Sequence, residues 1–110
     1  MSELTIVRVT LHGHLTKEQL ERELGVPALQ SVKGKIGLFV DCLQMKSYDT
    51  EARSYFVEWH KKMQPHIEKT AVVLNQPVWR IVVSAMGLAA SMPMTAFDTS
   101  VEAERWLRTR

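Results

Sequence analysis

Two uninterrupted apolar runs of strand length constrain the fold of this 110-residue chain more than any other feature. Residues 36–42 read IGLFVDC, and residues 70–75 read TAVVLN. A strand that lacks polar alternation is covered on both faces, which is typical of the inner strands of a parallel sheet. Both runs are therefore predicted to be central strands, and helices must lie on both sides of them.

Amphipathic segments alternate with these strands. Residues 4–11 alternate between apolar and polar side chains and predict a half-buried first strand that ends at Gly13. Thr16 and Thr99 open capping-box patterns, and Asp49 or Thr50 is expected to cap the second helix. Helices are expected over residues 16–24, 50–64, 77–92 and 99–107, with a helical turn at 28–32 and a short strand at 95–97. The sequence predicts one α/β domain over residues 1–110, with about four helices and a largely parallel sheet.

Composition argues against several classes of protein. Lys and Arg number 14 against 12 Asp and Glu, and this scattered net charge of +2 gives no field for nucleic acid. The single cysteine, Cys42, excludes an internal disulfide. The most apolar stretch, residues 78–94, is too interrupted for a membrane span, and the first residues lack the pattern of a signal peptide. We expect a cytoplasmic protein of bacterial type.

Catalytic and metal-binding patterns are absent from the sequence. His12 and His14 share one side of the first strand, but no third ligand stands at a suitable spacing. Cys42 has no base near it in sequence, and the five glycines are isolated and form no phosphate-binding loop. We therefore expect no enzyme activity, no cofactor and no metal.

Two segments carry the strongest indications of binding. The predicted second and third helices are rich in large apolar side chains, which form either a helix core face or the wall of an apolar ligand cavity. The candidate wall residues are Phe39, Tyr55, Phe56, Trp59, Trp79 and Met86. The second segment is the predicted 41–52 loop, where a buried strand ends in Asp41 and a helix starts near Asp49. A helix start suits anionic groups, although a plain helix cap explains the same residues.

The order and spacing of several short motifs resemble those of the SpoIIAA-like proteins, which are relatives of the STAS domain of anti-sigma-factor antagonists. These motifs are LHGHLT at residues 11–16, IGLFVD at 36–41, TAVVL at 70–74, and Phe97 followed by EAERWL at 102–107. The resemblance implies an α/β fold with a mixed four- or five-stranded sheet. It also implies protein or lipid binding rather than catalysis.

The same resemblance suggests a switch at residues 41–52. In STAS antagonists, a strand-ending Asp is followed eight residues later by Asp-Ser-Ser-Gly, in which a Ser is phosphorylated by a partner kinase. Asp41 and Asp49 match this spacing, whereas Thr50 and Glu51 replace the serines and Ala52 replaces the glycine. Thr50 can still accept phosphate, whereas Glu51 already supplies a fixed negative charge.

Two functional hypotheses follow from these features. The first is a regulatory module that docks an anti-sigma or kinase-like protein through Asp41, Asp49, Thr50 and Glu51. The second is a carrier or sensor of a small apolar molecule, held in a closed cavity walled by the six large side chains.

The third predicted helix also has more apolar surface than one sheet face can cover, which favours a homodimer. Sedimentation at a series of concentrations should therefore show a shift from monomer to dimer. A monomer at every concentration would contradict this expectation.

Overall fold

The computed structural model describes residues 4–25 and 34–109. The strands are β1 (Thr5–Leu15), β2 (Ile36–Tyr48), β3 (Ile67–Leu74) and β4 (Met94–Phe97). The α-helices are α1 (Lys17–Leu24), α2 (Thr50–Lys62), α3 (Trp79–Ala90) and α4 (Ser100–Arg108), and a 3-10 turn spans Gln64–His66. The helical turn expected at residues 28–32 lies outside the described residues.

The four described strands form one sheet in the order β1-β2-β3-β4, and every neighbouring pair is parallel. The predicted α/β fold class is confirmed. The resemblance implied a mixed sheet, whereas these four strands all run the same way. Because each connection moves one strand in the same direction, right-handed crossovers place α1, α2 and α3 on one face. The fourth helix, α4, follows the last strand and packs on the opposite face.

Alternation along β2 divides the apolar core between the two faces. Leu38, Val40 and Cys42 face the larger cluster beneath α1, α2 and α3. Phe39 points the other way, into a smaller cluster with Ala103 and Leu107 of α4. From Ile36 to Val40 the strand is buried on both sides and has no polar residue, which explains the apolar run that precedes Asp41.

The predicted ends of the first two strands are wrong. We expected β2 to stop at residue 42 and β1 to stop at Gly13, but both strands continue and pair with each other, Leu15 opposite Tyr48. Gly13 has φ 62° and lies between two register shifts, at each of which β2 carries one extra residue, so it stands beside two bulges of β2 and is not a strand terminus. Beyond the last pair with β3, Cys42↔Leu74, β1 and β2 form a two-stranded ribbon that overhangs the sheet. The polar residues of the ribbon made it look like a loop.

Side-chain caps open three of the helices. Asp49 Oδ1 accepts a hydrogen bond from the N–H of Ala52 at 2.7 Å. Thr16 and Thr99 cap α1 and α4 in the same way, each at 3.2 Å.

The expected return bond from Gln19 to its own cap is replaced by a longer-range contact. Gln19 Oε1 accepts from the N–H of His12 at 2.9 Å, and its Nε2 donates to the His12 carbonyl at 3.1 Å. This buried side chain thus ties α1 to the end of β1.

His60 is the fully buried polar residue of α2. Its Nδ1 lies 2.9 Å from the Phe56 carbonyl, which can only accept, so Nδ1 carries the proton. Nε2 therefore accepts from Thr70 Oγ1, at 3.0 Å on β3. Burial lowers the pKa of His60 to about 4, against a smaller opposing effect of the Phe56 carbonyl. The neutral imidazole links α2 to the sheet.

The free energy of unfolding should depend on this histidine below neutral pH. In the unfolded chain a histidine takes up a proton near pH 6.5, but folded His60 resists protonation until about pH 4. Its contribution is therefore present above pH 6.5 and lost as the pH falls to 4, by about 3 kcal/mol.

Urea unfolding of wild type and His60→Gln between pH 4 and 7 measures the effect. Gln does not titrate but can keep both hydrogen bonds, so wild type should lose about 3 kcal/mol more than the variant. The exposed His66, changed to Gln, is the matched control and should follow wild type. Parallel pH curves for wild type and His60→Gln would contradict the assignment.

Candidate ligand-binding site

An apolar cavity of about 50 Å³ lies between the sheet and the helices α2 and α3. The strands supply its floor, α2 and α3 supply its walls, and the surface presented to the cavity is almost wholly apolar. The lining residues are Leu11, Leu15, Val40, Cys42, Met45, Tyr48, Ala52, Arg53, Phe56, Val72, Leu74, Trp79, Val82, Val83 and Met86.

Helical and strand periodicity explain how this lining arises. On α3, the residues at steps of three, four and seven from Trp79 (Val82, Val83 and Met86) all face the cavity. On α2, Ala52 and Phe56 are four residues apart and lie on one side of the helix. A single water needs about 10–15 Å³, so a 50 Å³ cavity holds only a short apolar group. A longer molecule requires α3 to move away from the sheet.

Cys42 belongs to this cavity as an inert wall residue. Burial, and to a smaller extent the neighbouring Asp41 carboxylate, raises the pKa of its thiol to about 12. The thiol is therefore protonated at neutral pH and is a poor nucleophile or metal ligand. It acts as a small apolar side chain.

The six predicted wall residues do not lie together. Phe56, Trp79 and Met86 line the cavity, whereas Tyr55 and Trp59 pack half-buried against the same core outside it. Phe39 is on the opposite face of the sheet, where the Arg8 guanidinium lies 4.7 Å from its ring centroid. The expected cavity wall is corrected at Phe39, because Phe39 alternates with the cavity-lining Val40 along β2.

The predicted 41–52 loop is also not a loop. Asp41 pairs with Thr10 and Tyr48 pairs with Leu15, so the extended chain between Asp41 and Tyr48 runs beside five residue steps of β1, roughly 17 Å at about 3.3 Å per residue. Asp41 accepts a hydrogen bond from the N–H of Leu43, and Asp49 caps α2. Thr50 and Glu51 are exposed in the first turn of α2. These three residues at the start of α2 therefore lie together, far from Asp41.

A polar cluster that the sequence did not suggest lies at the end of the ribbon. His14 Nδ1 is 2.7 Å from Ser47 Oγ, and His14 Nε2 is 3.9 Å from Asp49 Oδ2. The residues are 33 positions apart and meet only because the shifted register pairs His14 with Ser47. The carboxylate is too far for a hydrogen bond to the ring, and its other oxygen is engaged by the helix cap. The hydrogen bond between His14 and Ser47 therefore joins the two strands of the ribbon beside the start of α2.

The outer surface of α3 is apolar and open to solvent. Val78, Ile81 and Leu88 are 63%, 74% and 83% exposed, and helical spacing puts them on the same side of the helix. Over residues 4–25 and 34–109, no helix is long and apolar enough to span a membrane. The same part of the chain contains no group of three or more His, Cys, Asp or Glu side chains placed to hold a metal ion.

Comparisons with known proteins agree with this architecture. The sequence has no match among curated proteins. A crystal structure of an uncharacterised DUF3478-family protein with a SpoIIAA-like fold, from Shewanella loihica PV-4, is similar to this chain with a TM-score of 0.71. At 17% identity, the likeness covers 91% of this chain and 82% of the other and concerns the fold alone. The SpoIIAA-like family profile matches residues 6–108. The chain therefore belongs to the SpoIIAA-like family.

Proposed function

We propose that this protein is a non-catalytic binding module of the bacterial cytoplasm that carries or senses a small apolar molecule. The family supports a regulatory or interaction role in general terms. The observation that carries the specific proposal is the apolar cavity between α2, α3 and the sheet. Such a cavity favours burial of alkyl or aromatic groups, because binding removes apolar surface of both the ligand and the protein from contact with water.

The chemistry of the surrounding residues supports binding without catalysis. The Cys42 thiol is protonated at neutral pH, and the Ser47–His14–Asp49 cluster lacks the hydrogen bond that would orient a catalytic histidine. No carboxylate among the described residues therefore fixes the tautomer of His14 in the way that base catalysis requires.

The exposed side of α3 links occupancy to regulation. No described element covers Val78, Ile81 and Leu88, so α3 can shift outward without breaking a buried contact on that side. A bound molecule larger than the cavity would stabilise the shifted helix and change the apolar surface seen by a partner. Because binding would change the surface that a partner contacts, the protein would act as a sensor and not only as a passive carrier.

A protein partner bound directly is the second candidate function. The exposed apolar side of α3, together with Thr50 and Glu51 at the start of α2, favours it. The partner would be of the anti-sigma or kinase type that the family resemblance implies, and phosphate on Thr50 would disturb its docking.

Native mass spectrometry of protein freshly purified from cells separates the two candidates. An extra mass of a few hundred daltons that is lost on denaturation is the expected result. Two variants test whether the ligand lies in this cavity. Cys42→Met adds two heavy atoms to the cavity wall and should lower the fraction of protein that carries the extra mass, whereas Cys42→Ala leaves the space open and should retain it.

Thermal unfolding shows whether each variant is folded, since overpacking a core costs about 1–3 kcal/mol. A bare mass for wild type would oppose the ligand proposal, and an undiminished fraction of the extra mass in folded Cys42→Met would place the ligand elsewhere. An extra mass of about 80 daltons that survives denaturation indicates phosphorylation and favours the partner-docking candidate.

A further inference from the structure

We propose that the molecule bound in this cavity is an amphiphile with an anionic head, and that Arg53 binds the head. This inference rests on the proposed function and adds the chemical class of the ligand. It follows from the position of Arg53 in the cavity wall, from the state of its guanidinium group and from the chemistry of the other lining residues.

Arg53 is the one charged residue among the fifteen that line the cavity. The residue as a whole is exposed, and the surface that faces the cavity is apolar. Its methylene stem therefore forms wall and its guanidinium lies at the solvent rim, as is usual for long basic side chains on apolar surfaces. The arrangement puts a positive charge within one side-chain length of a site for an alkyl group.

The guanidinium of Arg53 has no partner among the described residues. Several other basic side chains are engaged: Arg80 pairs with Asp98 at 2.5 Å, Lys61 with Glu58 at 3.2 Å, and Arg8 with Glu104. Asp49 precedes Arg53 by one helical turn, but its Oδ1 is held by the N–H of Ala52. An arginine without an internal partner is free to bind a ligand group.

An anion is the group that this position recognises. A guanidinium presents paired N–H donors that match the two oxygens of a carboxylate or phosphate. Arg53 lies near the amino end of α2, where the helix dipole also favours negative charge. Glu51 stands two residues earlier, and residues at that spacing face different sides of a helix. The apolar cavity takes the tail and Arg53 takes the head, which describes a fatty acid or an alkyl phosphate.

The experiment compares ligands that share a tail and differ in the head. Decanoate, decyl phosphate and 1-decanol are titrated into wild type, Arg53→Met and Arg105→Met, with calorimetry and tryptophan fluorescence, to which Trp79 in the cavity wall contributes, as readouts. Arg105 is an exposed arginine of α4 on the opposite face, so its change to Met alters the net charge equally without touching the cavity. Methionine keeps an unbranched apolar stem at either position.

We expect wild type and Arg105→Met to bind one of the anions about five- to tenfold more tightly than 1-decanol. The Arg53→Met variant should lose that preference and keep its affinity for 1-decanol. Whichever of decanoate and decyl phosphate binds more tightly identifies the head as carboxylate or phosphate.

Equal affinity for all three probes in wild type would overturn the anionic head and leave the apolar-ligand function standing. An anion preference that survives in Arg53→Met would overturn the role of Arg53 and would also leave the apolar-ligand function standing. Failure of all three probes to bind any protein would instead oppose the proposed function itself, so the two failures are distinguishable.

Discussion

The parallel pairing of β1 with β2 is the interaction on which the other parts of this molecule depend. It runs past the end of β3 to Leu15 and Tyr48, and the N–H of Asp49 continues it by donating to the Leu15 carbonyl at 3.2 Å. The start of α2 is thereby fixed at the tip of the ribbon. Met45 and Tyr48, from the same extension, complete one end of the cavity floor. Without the ribbon, the helix that carries Phe56 and Arg53 would begin elsewhere and the cavity would be open.

The strand order explains why the two faces of the sheet differ. A sheet that always advances in one direction collects its crossover helices on a single face, and that face holds the cavity. The other face has α4, whose Leu107 and Ala103 cover Phe39 and Val73. The Arg8 guanidinium lies over the Phe39 ring and covers it from solvent, as an apolar side chain would. Space for a ligand is therefore available where three helices meet, and not where one helix lies flat.

Most of the fold was predictable because apolar periodicity reports burial directly. The central strands, the four helices and the caps at Asp49 and Thr99 followed from local patterns. The end of β2 did not, since residues 43–48 pair only with β1 and have the polar composition of a loop. The candidate site was harder. Phe39 was wrongly predicted to line the cavity, because the run at 36–42 does not show which of its residues face the side with three helices. The contact of His14 with Ser47 depends on a shifted register that no local pattern encodes.

The bond between Gln19 and His12 has a consequence for how this protein meets copies of itself. No described strand pairs with the outer edge of β1, an eleven-residue strand whose free backbone groups could recruit another chain. At His12, however, both backbone groups are already taken by the amide of Gln19, which satisfies them as a neighbouring strand would. The Gln19 side chain of α1 thus binds the two backbone groups of His12 that a fifth strand would otherwise bind. The register shifts on either side of Gly13 also make this part of β1 irregular, so its edge is poorly shaped for the strand-to-strand stacking that leads to aggregation.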